Sequence, residues 1–375
     1  MATPATIASV IIDGQAFTFW ESIVVERTTQ DAVSYATLVN AEPGPLNAGF
    51  QGLKIGPGEI GDVTLAGQLA LSQGIVDLRQ VYYDKSSHGV QVRITSRSQN
   101  VLSSTVAAAP GQYTNQTLDQ IGKAVCQPLG VTFQVIGSPQ GADLPFERVS
   151  EHVGQPAFDF LEGLARRRHL FMVDDVQGNL NCVRGGSGTP LGSADPLNEG
   201  QNILAARVVM EKNPYAPAVT TPAQNFGNDT HNMAASQNVT ATVQNPNPDT
   251  NAFLNLRRYV APLEAAGNVQ EAKLRAQHEL AVLTLSSFEA VITVPGWLMS
   301  NGQLWLSLIG GSPCPVRLNS PMIFPSNTTP ASAPELFLKG VRHMQDSQEG
   351  TRTELTLCLK PGLGGPETVG SPAGT

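Results

Sequence analysis

Asp174 and Asp175 are the one adjacent pair of carboxylates in the chain. Two carboxylates can share glycosidic acid–base work when they face each other across a cleft. Neighbours on a strand point to opposite faces, and Gly178 and Asn179 follow closely, so a turn is the better expectation. The six histidines, His88, His152, His169, His231, His278 and His343, are scattered. A serine hydrolase would need a GxSxG elbow or an equivalent triad, and the chain has no GxSxG. His278-Glu279 opens like a zinc-binding helix motif, but position 282 is Val, so no second ligand falls one turn on. Glu279 then reads as helix surface. Gly185-Gly186-Ser187-Gly188 follows a strand but leads into Thr189-Pro190, a loop rather than a phosphate cradle. Cys126, Cys182, Cys314 and Cys358 form no CxxC pair and lie in apolar contexts, which predicts buried free thiols in a reducing cytoplasm. Arg166, Arg167 and Arg168 end a helix, where cations suit the dipole; an acidic partner is the other reading. The expectation is no catalytic, cofactor-binding or metal residue, no cofactor and no enzyme.

The elements that would carry these residues are mostly strands. Residues 1 to 105 read as short strands and turns: Ile7 to Ile12, a turn at Asp13-Gly14-Gln15, Ala16 to Trp20, and Ser22 to Arg27 with Ile23 and Val25 on one face. Tyr35 to Asn40, Val63 to Leu69, Ile75 to Tyr83 and Val90 to Ser96 follow, with turns at Pro57-Gly58 and Ser86 to Gly89. Such a run predicts an antiparallel barrel or sandwich. From 106 to 192 the pattern becomes that of a small α/β domain. Leu118, Ile121 and Val125 fall at helical spacing, with Asn115 or Thr117 placed to cap. Ala157, Leu161, Leu164 and Ala165 make a second stripe behind Pro156, and two strands then pair across Asp174 to Asn179.

Strands return at 193–258 and 288–360, with a long Asn/Pro-rich surface loop at 213–251 that holds at most one strand, Val239 to Val243. A helical insert at 259–287 interrupts them. Asn268 caps it, Val269, Ala272, Ala276, Leu280 and Leu283 form its buried stripe, and Glu271, Lys273, Arg275 and Glu279 its wet face. Short strands are expected at Leu304 to Ile309, Val316 to Leu318 and Met322 to Phe324, then a hairpin from Glu335 to Lys360. Residues 361–375, rich in Gly and Pro, read as a disordered tail.

With 375 residues the chain has room for two to four compact units. Charged residues make up only 14% of it, and the formal charge is −8. Lys and Arg do not cluster enough to displace counterions from DNA, so DNA is not gripped, though it could slide past an acidic wall. No run approaches a membrane span, and the first ten residues do not read as a signal peptide. Four Asn-x-Thr triplets, at Asn115, Asn228, Asn238 and Asn327, are read as chance in a Thr/Asn-rich chain.

Three stretches carry a resemblance through their order and spacing. The first runs from Thr117-Leu118-Asp119-Gln120-Ile121 to Cys126-Gln127-Pro128-Leu129-Gly130-Val131. The second runs from Phe146-Glu147-Arg148-Val149 through Gly154-Gln155-Pro156-Ala157-Phe158 to Arg168 and Asp175 to Leu180. The third is the helix at 269 to 283 leading to Thr293 to Trp297 and Leu304-Trp305, closed by Gly350 to Leu357. This order resembles the late control gene D family, the baseplate hub proteins of contractile phage tails such as that of Mu. The resemblance covers about residues 115 to 360.

It implies a β-rich α+β fold: two tube-like antiparallel β-barrel domains, 1–105 and 193–258 with 288–360, with inserted small α/β domains. It implies a homotrimer whose six barrels make a pseudo-sixfold ring joining the tail tube to the central spike. Tail tube, spike, tape-measure and other baseplate proteins would be partners. DNA would pass through the channel without specific binding, and nothing would insert in a membrane. The place would be the virion, after assembly in the host bacterial cytoplasm. The alternatives are a tail-tip cell-wall-degrading enzyme and a glycan-binding adhesin.

Overall fold

The computed structural model describes residues 7–18, 20–41, 55–85, 88–106, 111–224, 239–325 and 333–365. Expectations on His231, Asn228, Asn238, Asn327 and the tip of the 213–251 loop fall outside them, as does the side chain of His88.

The first β region contains β1 (Ala8–Ile12), β2 (Gln15–Phe17), β3 (Ser22–Thr28), β4 (Tyr35–Ala41), β5 (Ile60–Leu65), β6 (Gln68–Tyr83) and β7 (His88–Thr95). The β1–β2 hairpin turns at Asp13 and Gly14, both at positive φ, as a two-residue turn between twisted strands requires. A short helix, α1 (Gln99–Leu102), leads into the α/β domain, whose strands are β8 (Gln112–Gln116), β9 (Phe133–Val135), β10 (Phe146–Ser150), β11 (Phe171–Asp174) and β12 (Leu180–Val183). Its helices are α2 (Leu118–Cys126) and α3 (Ala157–Arg166). Of the two expected caps for α2 it is Thr117 that serves, in a reciprocal box with Gln120. This domain has its own core, in which Phe133, Phe146, Leu118, Ile121 and Leu161 are buried together.

The rest of the chain adds β13 (Leu197–Asn198), β14 (Ala205–Met210), β15 (Ala218–Ala223), β16 (Val239–Gln244), β17 (Tyr259–Val260), α4 (Val269–Ser287), β18 (Phe288–Pro295), β19 (Pro315–Asn319), β20 (Glu335–Asp346) and β21 (Gly350–Cys358). The two β regions are neighbours in one thirteen-stranded sheet, in the order β14-β18-β21-β20-β3-β4-β7-β6-β5-β1-β2, with β19 also on β20 and β13 on β19. The seam is the antiparallel pair β20–β3, in which Gly340 faces Thr28 and Gln345 faces Ile23. Both regions also share one apolar core, from Val10 and Val25 to Trp297 and Leu355. The fold is thus the β-rich α+β class expected.

Several local expectations change. The Asn/Pro-rich segment is not all loop: β15 and β16 pair antiparallel, β17 joins β15 in parallel, and this small sheet packs on α4. Pro222 disguises β15 in the sequence. The ladder to β16 uses the odd residues, since Asn245 donates to the Pro217 carbonyl, so Pro222 removes no donor there; its own carbonyl accepts from Leu263 N–H. The wet face assigned to α4 holds for Lys273, which is exposed, but not for all four residues. Glu271 and Arg275 are buried, whereas Val269, expected in the stripe, is exposed. Covered on two sides, α4 can hold these charges only because they are paired. Residues 305–308 form a 3₁₀ turn and 321–323 a turn, in place of two short strands. Residues 361–365, expected to begin a disordered tail, are packed: Leu363 is fully buried, and the Gly362 backbone lies against Leu285.

Candidate functional site

The strongest constellation of polar groups is a buried junction that holds three parts of the chain together. Arg27 is the inward continuation of the Ile23, Val25 face of β3, and it is fully buried. Its Nε donates to Ser34 Oγ at 2.7 Å, its Nη1 to the Leu306 carbonyl at 3.3 Å and its Nη2 to the Ala70 carbonyl at 3.0 Å. The counter-charge is Asp174 at the end of β11, with 3.5 Å between Arg27 Nε and Asp174 Oδ1. Asp174 also accepts from Ser34 N–H at 2.8 Å and from Ser34 Oγ–H at 2.6 Å. Burial works against both charges, pushing the Asp174 carboxyl up and the Arg27 guanidinium down, while each favours the charged form of the other. The first β region, the 3₁₀ turn of the second and the α/β domain meet here.

Asp174 and Asp175 therefore divide their roles. Asp175 makes the expected turn, accepting from the N–H groups of Gln177 and Asn179 at 2.9 Å each. Asp174 faces the opposite way, into the junction, so the two do not converge as a catalytic pair. The signal for Arg27 was present: two inward apolar residues at alternate positions, followed by an Arg at the next one.

A second junction joins the α/β domain to α4. Glu271 receives Arg167 Nη2 at 2.9 Å and Arg168 Nη1 at 2.8 Å. Arg168 also stacks over the Phe146 ring, 3.7 Å from its centre, and donates twice to the Leu144 carbonyl. Arg166 pairs with Glu162 at 2.7 Å and with Glu264 at 3.2 Å. The arginine triplet meets its acidic partners within this chain.

Among the described residues the histidines do not assemble a triad. His152 is exposed. His343 is buried; Leu306 N–H donates to its Nε2 at 3.3 Å, so its proton sits on Nδ1, 2.7 Å from Thr353 Oγ. His169 and His278 lie on opposite sides of the joint between the α/β domain and α4, with ring centres 6.0 Å apart. His278 also rests on the Phe171 ring at 4.8 Å. His169 Nε2 and His278 Nδ1 are buried without a hydrogen-bond partner. Burial, then nearby Arg184, pushes His169 down to about 3; burial and the charge of Arg27 do the same to His343, also to about 3. His278 is held well below its ordinary value, first by burial, then by His169 and Arg275. All three are neutral at pH 7. His278 thus belongs to this joint, and Glu279 pairs with Arg275 one turn earlier on the same helix. All four cysteines are free and buried. Among the described residues no group of three or more His, Cys, Asp or Glu side chains could hold a metal ion.

A cleft of about 900 Å³ opens beside the second junction. It lies between the end of β14, α4, the 245–250 loop and the packed residues 359–365, and His169 is part of its lining. Nothing in the sequence marked it, because its walls come from five separated segments.

Comparison with known proteins places this geometry. Residues 99–184 match the second domain of gp44-like baseplate hub proteins. The baseplate hub protein gp44 of Escherichia phage Mu is 22% identical over 354 residues, covering 94% of this chain and 87% of the relative. The 43 kDa tail protein of prophage MuSo2 from Shewanella oneidensis superposes with a TM-score of 0.74 at 21% identity, over 96% of this chain and all of the other. The E. coli c3393 protein, a type VI secretion component described as structurally similar to the T4 tail proteins gp27 and gp5, gives a TM-score of 0.56 at 10% identity. That likeness spans 93% of this chain and 76% of the other.

Proposed function

Because the chain belongs to the Mu-type baseplate hub protein family, we propose that three copies form a pseudo-sixfold ring joining the tail tube to the central spike. Each copy would supply two β units, so three copies supply six. The observation that carries this reading is the β20–β3 seam, which sets the two β regions of one chain side by side in a single sheet over a shared core. The Arg27–Asp174 junction braces that seam from behind with charges removed from solvent. A rigid double unit is what a sixfold tube needs if it is to rest on a threefold spike.

Its role is mechanical: binding to tube, spike, tape-measure and neighbouring baseplate proteins, without bond chemistry. The −8 charge fits a channel through which DNA slides without being held. Assembly would take place in the bacterial cytoplasm, where the four buried thiols stay reduced. Negative-stain class averages and native mass of the purified protein test the ring. Threefold or pseudo-sixfold rings with an open centre are expected; compact monomers both alone and with the spike protein would overturn it. Clearing of bacterial cell walls in a zymogram would overturn the purely mechanical reading.

A further inference from the structure

Two histidines from distant parts of the chain close on each other at the joint between the α/β domain and α4. His169 follows α3 and His278 lies within α4; they are only 8% and 4% exposed. Their rings meet edge-on, with 6.0 Å between centres and 87° between planes. Nε2 of His169 and Nδ1 of His278 are buried without a hydrogen-bond partner. Each ring thus fills the joint as an apolar group would, while keeping a basic nitrogen inside it. The His169 backbone is left-handed, at a φ of 54°, a conformation few side chains adopt. Gly364 packs beside this ring so closely that an added carbon there would lie 3.0 Å from Nε2. No counter-ion fits on that side.

The charges around the pair give an imidazolium nothing to bind. Arg184, after β12, acts on His169; Arg275 of α4 and Arg166 at the end of α3 act on His278. All three are cations. The carboxylates of the joint are committed elsewhere: Glu271 to Arg167 and Arg168, Glu162 and Glu264 to Arg166, and Glu279 to Arg275. Lys360, at the start of the packed residues 360–365, is paired with Glu335. Across the cleft that His169 lines, Asp249 is paired with Lys212, and Glu211 is bonded to neither unpartnered nitrogen. A proton on either ring is therefore stabilised only when the joint parts and water reaches it.

The helix has a place to bend. In its last turns Thr284, Ser286 and Ser287 donate their hydroxyls to the carbonyls of Leu280, Val282 and Thr284. Such back-bonding weakens and bends helices. The chain then runs directly into β18, so the sheet holds that end of α4 while the rest can lift.

We propose that His169 and His278 form an acid-sensitive latch: protonation drives α4 and its small sheet away from the α/β domain, while the thirteen-stranded sheet stays folded. This goes beyond the ring, which rests on that sheet alone.

Native-state hydrogen exchange of the full chain at pH 7.5 and 5.5, corrected for intrinsic rates, reads the opening. A solvated histidine titrates near pH 6.5, so each ring should raise the opening constant about tenfold over this interval, and the pair about a hundredfold. That rise is expected in α4 and β15–β17, with β3 and β21 still protected at both pH values. His169→Gln together with His278→Gln should abolish the response. His343→Gln, which alters a histidine of the sheet core, should leave it in place. If the double variant does not fold, His278→Gln alone should leave about tenfold. Loss of protection in α4 and the sheet together would make the event global unfolding and overturn the latch. So would an opening that ignores pH, or a hundredfold response that survives in either variant of the pair. Ring images of the same protein at pH 7.5 report separately on the hub arrangement.

Discussion

The two buried polar junctions are built to opposite standards. At the Arg27–Asp174 junction three guanidinium nitrogens and both carboxylate oxygens have partners, and the partners are mostly backbone or short serines. At the joint between the α/β domain and α4, Glu271 satisfies two arginines, yet His169 Nε2, His278 Nδ1, Arg167 Nε and Arg275 Nε stay unpartnered. A satisfied network defines one arrangement, because every alternative loses hydrogen bonds in a low dielectric. A partly satisfied one leaves alternatives closer in energy. The sheet wall is thus expected to be the more fixed part of the molecule, and the α4 lobe the part that loosens first.

The sharpest way to break the comparison is Asp174→Ala, which leaves Arg27 charged and unpaired in the core. A loss of about 3–5 kcal/mol is expected in urea unfolding. A loss under about 1 kcal/mol would show that water reaches the junction. Replacing both groups, as Arg27→Met with Asp174→Leu, should recover most of that loss, since well-packed apolar substitutes avoid the desolvation cost.

Glu271→Gln should cost somewhat less, about 2–3 kcal/mol, because Arg167 and Arg168 keep their backbone and ring contacts. Hydrogen exchange should locate the loosening in α4 and β15–β17, with the thirteen-stranded sheet unchanged. Protection lost equally across the sheet would contradict the idea of a separately adjustable lobe. Leu280→Asp, which sets a bare charge between α4 and the small sheet, should loosen the same region. A native melting temperature in that variant would refute the buried face of α4.

The pH response draws on both junctions, since His343 beside Arg27 is depressed as His169 is. His169 and His278 are neutral when folded but protonate near pH 6.5 when unfolded. Between pH 6.5 and about 3 the unfolded chain binds more protons at His169, so stability falls as pH falls through that window. At pH 5.5 His169 should have removed about 1.4 kcal/mol relative to pH 7.5, with His278 acting in the same direction. His169→Gln should flatten the profile by that amount, measured as the difference from the parent chain. An unchanged slope would mean that His169 is solvated. The smallest effect expected is from Gly362→Ala, whose added carbon would sit 2.9 Å from Leu285 Cα. About 1–2 kcal/mol is expected from this overpacking, read as a drop in melting temperature.

Much of the fold was legible. Alternation in Ser22 to Arg27, the Asp13-Gly14 turn, the Thr117 cap and the Asn268 cap are local signals, and the structure keeps each of them. The misses share one cause. Pro222 hid β15, since proline argues against a strand unless the parity of the ladder is known. Glu271 looked solvent-facing because charge is read as surface until a buried partner is seen, and its partners Arg167 and Arg168 lie about a hundred residues away along the chain. The turn at 305–308 was read as a strand because a short apolar run does not distinguish the two.

Local chemistry, written in propensity, periodicity and caps, therefore determined the elements, their order and the absence of any familiar catalytic motif. The register of β20 on β3 and the meeting of Arg27 with Asp174 were decided only in three dimensions. Each depends on residues far apart in the chain coming within hydrogen-bonding distance. A one-dimensional pattern records which face a residue prefers, but not which partner, if any, waits there.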